Sequence, residues 1–202
     1  MEKDNIDKLI MKIYNYYPIG LKYGTLDYME SKEYLARKRK VSLKNDKDEY
    51  RKELYESLCA ICKGYSVVDW TEEKAGCYEF KILLHKNQGI LDDDIELIQR
   101  LGNQRYDIRV FVSALEPVFY LFEEKTIYNP YANSWEFITV NRGGEEQEKI
   151  ESKIIRFFEK KGIEKIKVDI AKKGVKGIET ELKYFNKATV FDCLFTDLVA
   201  IN

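Results

Sequence analysis

The sequence predicts an α+β protein in which N-terminal helices pack on a mainly antiparallel β-sheet, followed by one long helix in the C-terminal half and a final β element. Three observations predict this class. Apolar residues recur at helical spacing through the first third of the chain. The period then changes to the alternation that is typical of strands. Turn and short-helix signals separate the strand-like segments, which favours antiparallel pairing.

The N-terminal part, residues 1–64, is predicted to be helical. A first apolar stripe follows Asp4, a suitable N-cap, and ends before Pro18. Two further helices are expected, the later one after Asp46 in a capping-box pattern. Gly64 supplies the stop for that helix.

Residues 65–142 are predicted to form the antiparallel sheet together with a short helix at about residues 93–101. The strand-like segments are residues 78–85, 106–115, 118–125 and 135–140. The second and third of these are apolar on both parities, whereas the first alternates between apolar and polar side chains. We therefore expect a central pair of strands that is covered on both faces.

The last part, residues 143–202, is predicted to hold a helix over residues 145–161 and then a β hairpin around a turn at residues 172–174. A last strand is expected at residues 189–195, although so short an apolar segment fits a buried helical turn equally well. No repeat, low-complexity stretch or long linker divides the chain. Residues 1–202 are therefore expected to form a single α+β domain.

Composition and charge limit the classes of function. The chain has 202 residues, is 45% hydrophobic and balances 34 Lys and Arg against 35 Asp and Glu. Such a balance produces no overall field toward phosphate or an anionic bilayer. The basic segment at residues 37–40 lacks the interleaved aromatic residues of single-strand binders. We expect a cytoplasmic protein without a membrane segment, and nucleic-acid binding is disfavoured.

Thiol, metal and cofactor chemistry receive little support from the sequence. Cys59 and Cys62 have the spacing of a redox or zinc half-site, but they fall in the last turn of a predicted helix, where the helix dipole raises a thiol pKa. The pair Gly143 and Gly144 lacks the remaining residues of a phosphate-binding loop. We expect buried cysteines, no cofactor and no resident metal, and catalysis is disfavoured.

An enzymatic alternative remains open at one segment. His85 is the only histidine, and Asp92, Asp93 and Asp94 with Glu96 could contribute to a divalent-metal site. This alternative is a metal-dependent hydrolase or nuclease. Its competing interpretation is that Asp92 caps a helix and the other acids lie in the favourable first turn. The sequence leaves open whether His85 and these acids converge with other carboxylates.

Aromatic density is the remaining clue. Tyrosines crowd the N-terminal segment, and a second aromatic loop surrounds residue 131. Because tyrosine and tryptophan concentrate at protein interfaces, we predict a partner-binding set: Tyr16, Tyr17, Tyr23, Tyr28, Tyr131 and Trp135. The competing interpretation is that these rings pack the helices onto the sheet.

The function predicted from these features is that of a non-catalytic, cytoplasmic protein-binding module. Bacterial immunity proteins that neutralise toxins are similar to this chain in size and general character, although no motif is shared. The partner is therefore expected to be another protein, of unknown identity. A small-molecule sensor is a third possibility, which requires an apolar pocket between sheet and helices.

Overall fold

The structure is a computed structural model that describes residues 3–85, 95–140 and 144–201. The helices are α1 Lys3–Ile13, α2 Leu26–Glu30, α3 Lys32–Asn45, α4 Asp48–Ile61, α5 Ile95–Arg100, α6 Glu145–Lys160, α7 Val168–Ala171 and α8 Val190–Leu194. The strands are β1 Ser66–Asp69, β2 Cys77–Leu83, β3 Gln104–Ser113, β4 Val118–Asn129, β5 Ser134–Val140 and β6 Glu164–Lys165. Helices combined with a mainly antiparallel sheet confirm the predicted α+β class.

The sheet has the strand order β1-β2-β3-β4-β5, and each neighbouring pair is antiparallel. The two-residue strand β6 pairs in parallel with β4 at Val118 and Phe119. The four predicted strands are all present, with β4 extending four residues beyond its predicted end. β1 was not predicted.

Apolar side chains cover the central strands on both faces, as predicted. On one face, Val110 and Leu121 belong to a core cluster with Leu54 of α4 and Ile154 of α6. On the other face, Phe111 belongs to a second cluster, to which α1, α7 and α8 contribute. Successive residues of a strand point to opposite faces, so the apolar character on both parities of β3 and β4 places core on each side.

The C-terminal half departs from the prediction. It holds short helices, of 16, 4 and 5 residues, instead of one long helix and a final β element. The predicted hairpin is reduced to one bridge between Gly174 and Thr189. Residues 190–194 are helical because Thr189 and Asp192 form a capping box, in which each side chain accepts a hydrogen bond from the other residue's backbone N–H. The buried helical turn, left open from the sequence, is therefore the correct alternative.

The capping box predicted at Asp46 is also wrong. α3 continues to Asn45, and Asp46 is its C-cap. Lys47 occupies the N-cap of α4 without a capping side chain. Across the described ranges, no helix is both long enough and apolar enough to cross a membrane.

Candidate functional site

Four tyrosine rings meet in the segment between α1 and α3. Gly20 and Gly24 adopt positive φ, which lets the chain turn sharply before α2. Thr25 caps α2 and Ser31 caps α3, so the two helices begin at defined residues. The rings that this arrangement brings together are Tyr17, Tyr23, Tyr28 and Tyr34, with centroid distances of 5.1 Å for Tyr23 to Tyr28 and 5.4 Å for Tyr28 to Tyr34.

Tyrosine hydroxyls join this N-terminal segment to distant parts of the chain. Tyr17 donates to the Cys193 carbonyl at 2.9 Å, and Tyr28 donates to the Glu179 carbonyl at 3.1 Å. Tyr16 donates to the Leu115 carbonyl at 3.0 Å. All three tyrosines are buried. These three members of the predicted partner-binding set therefore lie in the interior of the protein. Each of their hydroxyls donates a hydrogen bond to a backbone carbonyl.

The four rings form one wall of a cavity of about 590 Å³, which we call the tyrosine cavity. Its other walls come from α3, from the loop at residues 72–75 and from the C-terminal segments at residues 180–182 and 195–198. The cavity volume lies within the range of about 300–1,000 Å³ that is usual for ligand pockets. It is therefore large enough to receive side chains of another molecule.

Arg37 projects from α3 into the tyrosine cavity. Its Nε donates to the Tyr17 hydroxyl at 2.9 Å, and its Cζ lies 5.4 Å from the centroid of that ring. Within residues 3–85, 95–140 and 144–201 it forms no ion pair with a carboxylate. Asp197, on the facing wall, instead accepts hydrogen bonds from the Thr180 hydroxyl at 2.6 Å and the Leu182 amide at 2.9 Å. Arg37 is thus oriented by a tyrosine and retains donors for a further acceptor.

Aliphatic side chains surround the mouth of the tyrosine cavity. Leu182 and Leu198 line it and are 52% and 59% exposed. We call these two residues the rim. The elements that frame the cavity also carry the exposed side chains of Leu26, Met29 and Tyr184. The cavity therefore opens onto a surface with several exposed apolar groups.

A buried lysine holds the loop that borders the cavity. Lys44 Nζ donates to the carbonyls of Glu72 at 2.6 Å, Glu73 at 3.3 Å and Ala75 at 3.0 Å. Burial lowers the pKa of Lys44. Three converging carbonyls satisfy the ammonium group, so Lys44 connects α3 to the loop that lies between this cavity and a second one.

The second cavity, of about 440 Å³, lies against the face of the sheet, and we call it the charge cavity. Its residues on the sheet are Glu79 and Lys81 of β2, Arg109 of β3, Glu124 of β4 and Phe137 of β5. Trp70, which follows β1, and the segment at residues 196 and 198–200 complete its walls. The residues 72, 75, 196 and 198 line both cavities, so the two are adjacent.

Arg109 links two carboxylates in the charge cavity. Its Nη1 donates to Glu124 Oε2 at 2.8 Å, and its Nε donates to Glu79 Oε1 at 3.1 Å, an oxygen that also accepts from Nη2. The three side chains are only 9%, 4% and 8% exposed for Arg109, Glu124 and Glu79. Burial raises the pKa of Glu79, which Arg109 opposes. Beside this network, Lys81 Nζ lies 4.7 Å from the centroid of the Trp70 ring.

The remaining members of the predicted partner-binding set lie elsewhere. Tyr131 is fully exposed in the turn after β4, and the half-buried Trp135 packs on Tyr128 at 4.8 Å. Tyr120, near the start of β4, shares a core cluster with Tyr17. The end of β4 at Asn129 lies about 30 Å along the strand from Tyr120, and Tyr131 lies in the turn beyond it. The structure brings Tyr17, Tyr23 and Tyr28 together and keeps Tyr131 and Trp135 apart from them.

The cysteines and the histidine give no catalytic arrangement in the described ranges. None of the four cysteines is in a disulfide, and burial raises the pKa of the Cys62 thiol to about 12. His85 is half-buried in the turn after β2. Asp92, Asp93 and Asp94 lie outside the described residues. Among the residues that the structure does describe, no three metal-ligating side chains come together. The hydrolase alternative therefore stays a prediction.

Sequence reasoning missed the charge cavity and the orientation of Arg37. Glu79 and Lys81 alternate with apolar residues, a pattern that predicts a solvated face for them. The signal that could have found the network was the occurrence of charged residues on three strands predicted to be adjacent, at Glu79, Arg109 and Glu124. Arg37 was not distinguished from the other basic residues of the segment at residues 37–40.

The tyrosines of the N-terminal segment predict unfolding at alkaline pH. Burial raises the pKa of Tyr16 and of Tyr23 to about 12, from the ordinary 10.0, and raises that of Tyr17 and Tyr28 as well. Since the folded state holds these protons more tightly, stability is fully present below pH 10 and is lost as the pH rises from 10 toward 12. We expect tyrosinate absorbance and loss of far-UV circular dichroism to change together in that interval. Titration of most tyrosines near pH 10 with the fold intact would contradict this.

Comparison with known proteins adds no assignment to this geometry. No protein-family model, no curated protein and no solved structure matches the chain. The chemistry of the two cavities is therefore the basis on which function is inferred.

Proposed function

We propose that the protein is a non-catalytic module that binds another protein through the tyrosine cavity and its rim. The observation that carries this proposal is the exposure of Leu182 and Leu198 at the mouth of a concave site lined by tyrosines and Arg37. Exposed aliphatic groups around a concave site are typical of interaction surfaces. Isolated exposed leucines elsewhere would carry no such meaning.

The composition of the wall supports this function. Tyrosine and arginine are enriched among the residues that dominate binding energy at protein interfaces. Tyr23 and Tyr34 are half-buried, so each ring is fixed by packing and still presents part of its surface to the cavity. Such rings lose little conformational entropy on binding.

Charge supports specificity more than raw affinity. Arg37 and Lys38 lie on one wall, while Glu72, Glu73 and Glu181 lie on others. A partner that fits must present both signs in the complementary order, since like charges placed opposite each other are unfavourable. The remaining N–H groups of Arg37 would donate two hydrogen bonds to a carboxylate of the partner.

The broader context is proposed from the sequence. A toxin neutralised by an immunity-type protein is the partner class that chain length, charge balance and aromatic content favour. A cytoplasmic location and a single domain over residues 1–202 belong to the same proposal. The hydrolase alternative rests on His85 together with acids that lie outside the described residues.

Disruption of the rim tests this function. The expected result is that Leu182→Asp combined with Leu198→Asp raises the Kd for a partner captured from native lysate and then purified. An interface hot spot contributes about 2 kcal/mol or more, so we expect about 30-fold weaker binding or worse. Both side chains are largely exposed, so the fold should be retained. Isothermal titration calorimetry with the purified partner provides the measurement.

Tyr131→Asp is the matched control, because Tyr131 is fully exposed and lies on the distant β4–β5 turn. We expect this control to bind with the wild-type Kd. If Tyr131→Asp abolishes binding while the rim variant binds normally, the interface lies at the β4–β5 turn and the proposal for the tyrosine cavity is wrong.

A further inference from the structure

The charge cavity contains a carboxylate that is only half satisfied. Glu124 is 4% exposed, and its Oε2 accepts from Arg109 at 2.8 Å. Its other oxygen, Oε1, is buried and has no hydrogen-bond partner within the described ranges. A buried acceptor without a donor is unfavourable, and native proteins rarely leave one. A hydrogen-bond donor at Glu124 Oε1 would therefore lower the free energy of the site.

Glu79 offers a second acceptor toward the same cavity. Both of its hydrogen bonds from Arg109 go to Oε1, and no residue in the described part of the chain donates to Oε2. Glu79 and Glu124 both line the cavity, on opposite sides of Arg109 in the strand order β2-β3-β4. Two carboxylate oxygens can therefore accept hydrogen bonds from one bound molecule.

The charges of the cavity favour an uncharged ligand. Glu72, Glu79 and Glu124 line the cavity together with Lys81 and Arg109, so charges of both signs lie close to any bound molecule. A cation would meet the ammonium and guanidinium groups, and an anion would meet the two carboxylates. Metal binding is disfavoured as well, because Arg109 already engages both carboxylates. An uncharged molecule that donates several hydrogen bonds avoids both repulsions, and hydroxyl groups provide such donors.

Aromatic side chains flank the charged centre from both edges of the sheet. Trp70 follows the edge strand β1, with Lys81 Nζ over its ring, and Phe137 belongs to the opposite edge strand β5 and is about half exposed. Apolar and aromatic walls with a few convergent polar groups are characteristic of small-molecule sites. Aromatic faces also pack well against the C–H face of a saturated ring.

We propose that the charge cavity binds a small, uncharged, polyhydroxylated molecule of the sugar or polyol class. Its hydroxyls donate to Glu124 Oε1 and Glu79 Oε2, and its C–H face packs against Trp70. This site shares Leu198 with the rim but contains neither Leu182 nor the tyrosine rings, and it requires no protein partner.

Fluorescence of Trp70 provides a direct test. The chain has two tryptophans, so the Trp135→Phe variant leaves Trp70 as the single reporter. This variant is titrated with D-glucose, D-ribose and myo-inositol, and with ethanolamine and acetate as charged comparisons. We expect a saturable change with at least one of the three uncharged compounds and a Kd of about 1–10 mM or tighter, as suits ligands of this size. Ethanolamine and acetate should produce none.

Substitution of the acceptor then links binding to the proposed atoms. In the same background, Glu124→Gln should weaken binding by about ten-fold or more, because a hydrogen bond to a charged acceptor is lost. Glu79→Gln should act in the same direction, and it provides a second measurement if Glu124→Gln does not fold. Glu136→Gln, on the exposed part of β5, should leave the Kd unchanged.

Three results would overturn the proposal. One is the absence of saturation by all three uncharged compounds up to about 100 mM, well above the Kd expected for ligands of this size. Another is saturation by ethanolamine or acetate alone. The third is unchanged affinity in a folded Glu124→Gln or Glu79→Gln variant. Since no partner protein is present in these titrations, their outcome is independent of the protein-binding proposal.

Discussion

Arg109→Met is expected to lower the free energy of unfolding by about 3–5 kcal/mol, the usual cost of removing one partner from a buried ion pair. The variant leaves Glu79 and Glu124 with no cation bonded to either carboxylate, at 8% and 4% exposure. Packing contributes as well, because the guanidinium lies 5.1 Å from the Phe111 ring centroid. Chemical denaturation monitored by circular dichroism provides the measurement.

The pH dependence of Arg109→Met gives a second readout. Burial already raises the pKa of Glu79, and the loss of Arg109 removes an opposing effect. The folded variant then holds carboxyl protons more tightly than the unfolded chain, so its stability decreases as the pH rises above the unfolded pKa of about 4.3. The deficit relative to wild type should be smaller at about pH 5 than at about pH 7.5.

A neutral replacement of the whole network is the matched control. In Glu79→Gln/Arg109→Met/Glu124→Gln the guanidinium and both carboxylates are replaced by neutral groups, so most of the lost stability should return. Equal destabilisation of the single and triple variants would show that Arg109 acts through packing alone. The electrostatic explanation of the network would then be wrong.

Lys44→Met is expected to lower the free energy of unfolding by about 2–4 kcal/mol, because partly buried carbonyls lose a charged donor. The carbonyls of Glu72, Glu73 and Ala75 accept from Nζ, and methionine has no N–H to replace it. The loop at residues 72–75 should therefore loosen even under conditions where the rest of the chain is folded. Thermal or chemical denaturation measures the global effect.

Trypsin reports the local effect of Lys44→Met. Lys74 is exposed within the loop that Lys44 holds. The peptide bond after Lys74 should therefore be cleaved faster in Lys44→Met than in wild type. Lys40→Met is the matched control, since Lys40 is an exposed lysine one turn earlier on the same helix. Identical cleavage rates at Lys74 in all three proteins would contradict a role for Lys44 in holding the loop.

The sheet was predictable from sequence because its main signals are local. The alternation in β2 and the apolar character of both parities in β3 and β4 follow directly from the two-residue period of a strand. β1 escaped prediction because Ser66–Asp69 is only four residues long and has one buried side chain. A pattern that short carries little periodicity.

The sites were less predictable because distant segments create them. Glu79 and Lys81 alternate as on a solvated face, yet residues 196 and 198–200 help to enclose them from more than a hundred positions away. The sequence predicted that Tyr17 binds a partner, whereas in the structure its hydroxyl donates to the Cys193 carbonyl. Contacts between segments so far apart in the chain cannot be predicted from the local spacing of apolar and polar residues. The density of aromatic residues singled out Tyr17, Tyr23 and Tyr28 but not the cavity that they line.

The two-residue strand β6 has a consequence for self-association. β5 pairs with β4 only from Glu123 to Asn129, so the first half of β4 would present unpaired backbone groups on that side. Glu164 and Lys165 pair there, and the Glu164 and Ile166 amides donate to the Pro117 and Phe119 carbonyls. Unpaired strand edges are templates for joining another chain. A short, charged strand thus blocks a position at which two copies could otherwise have merged their sheets.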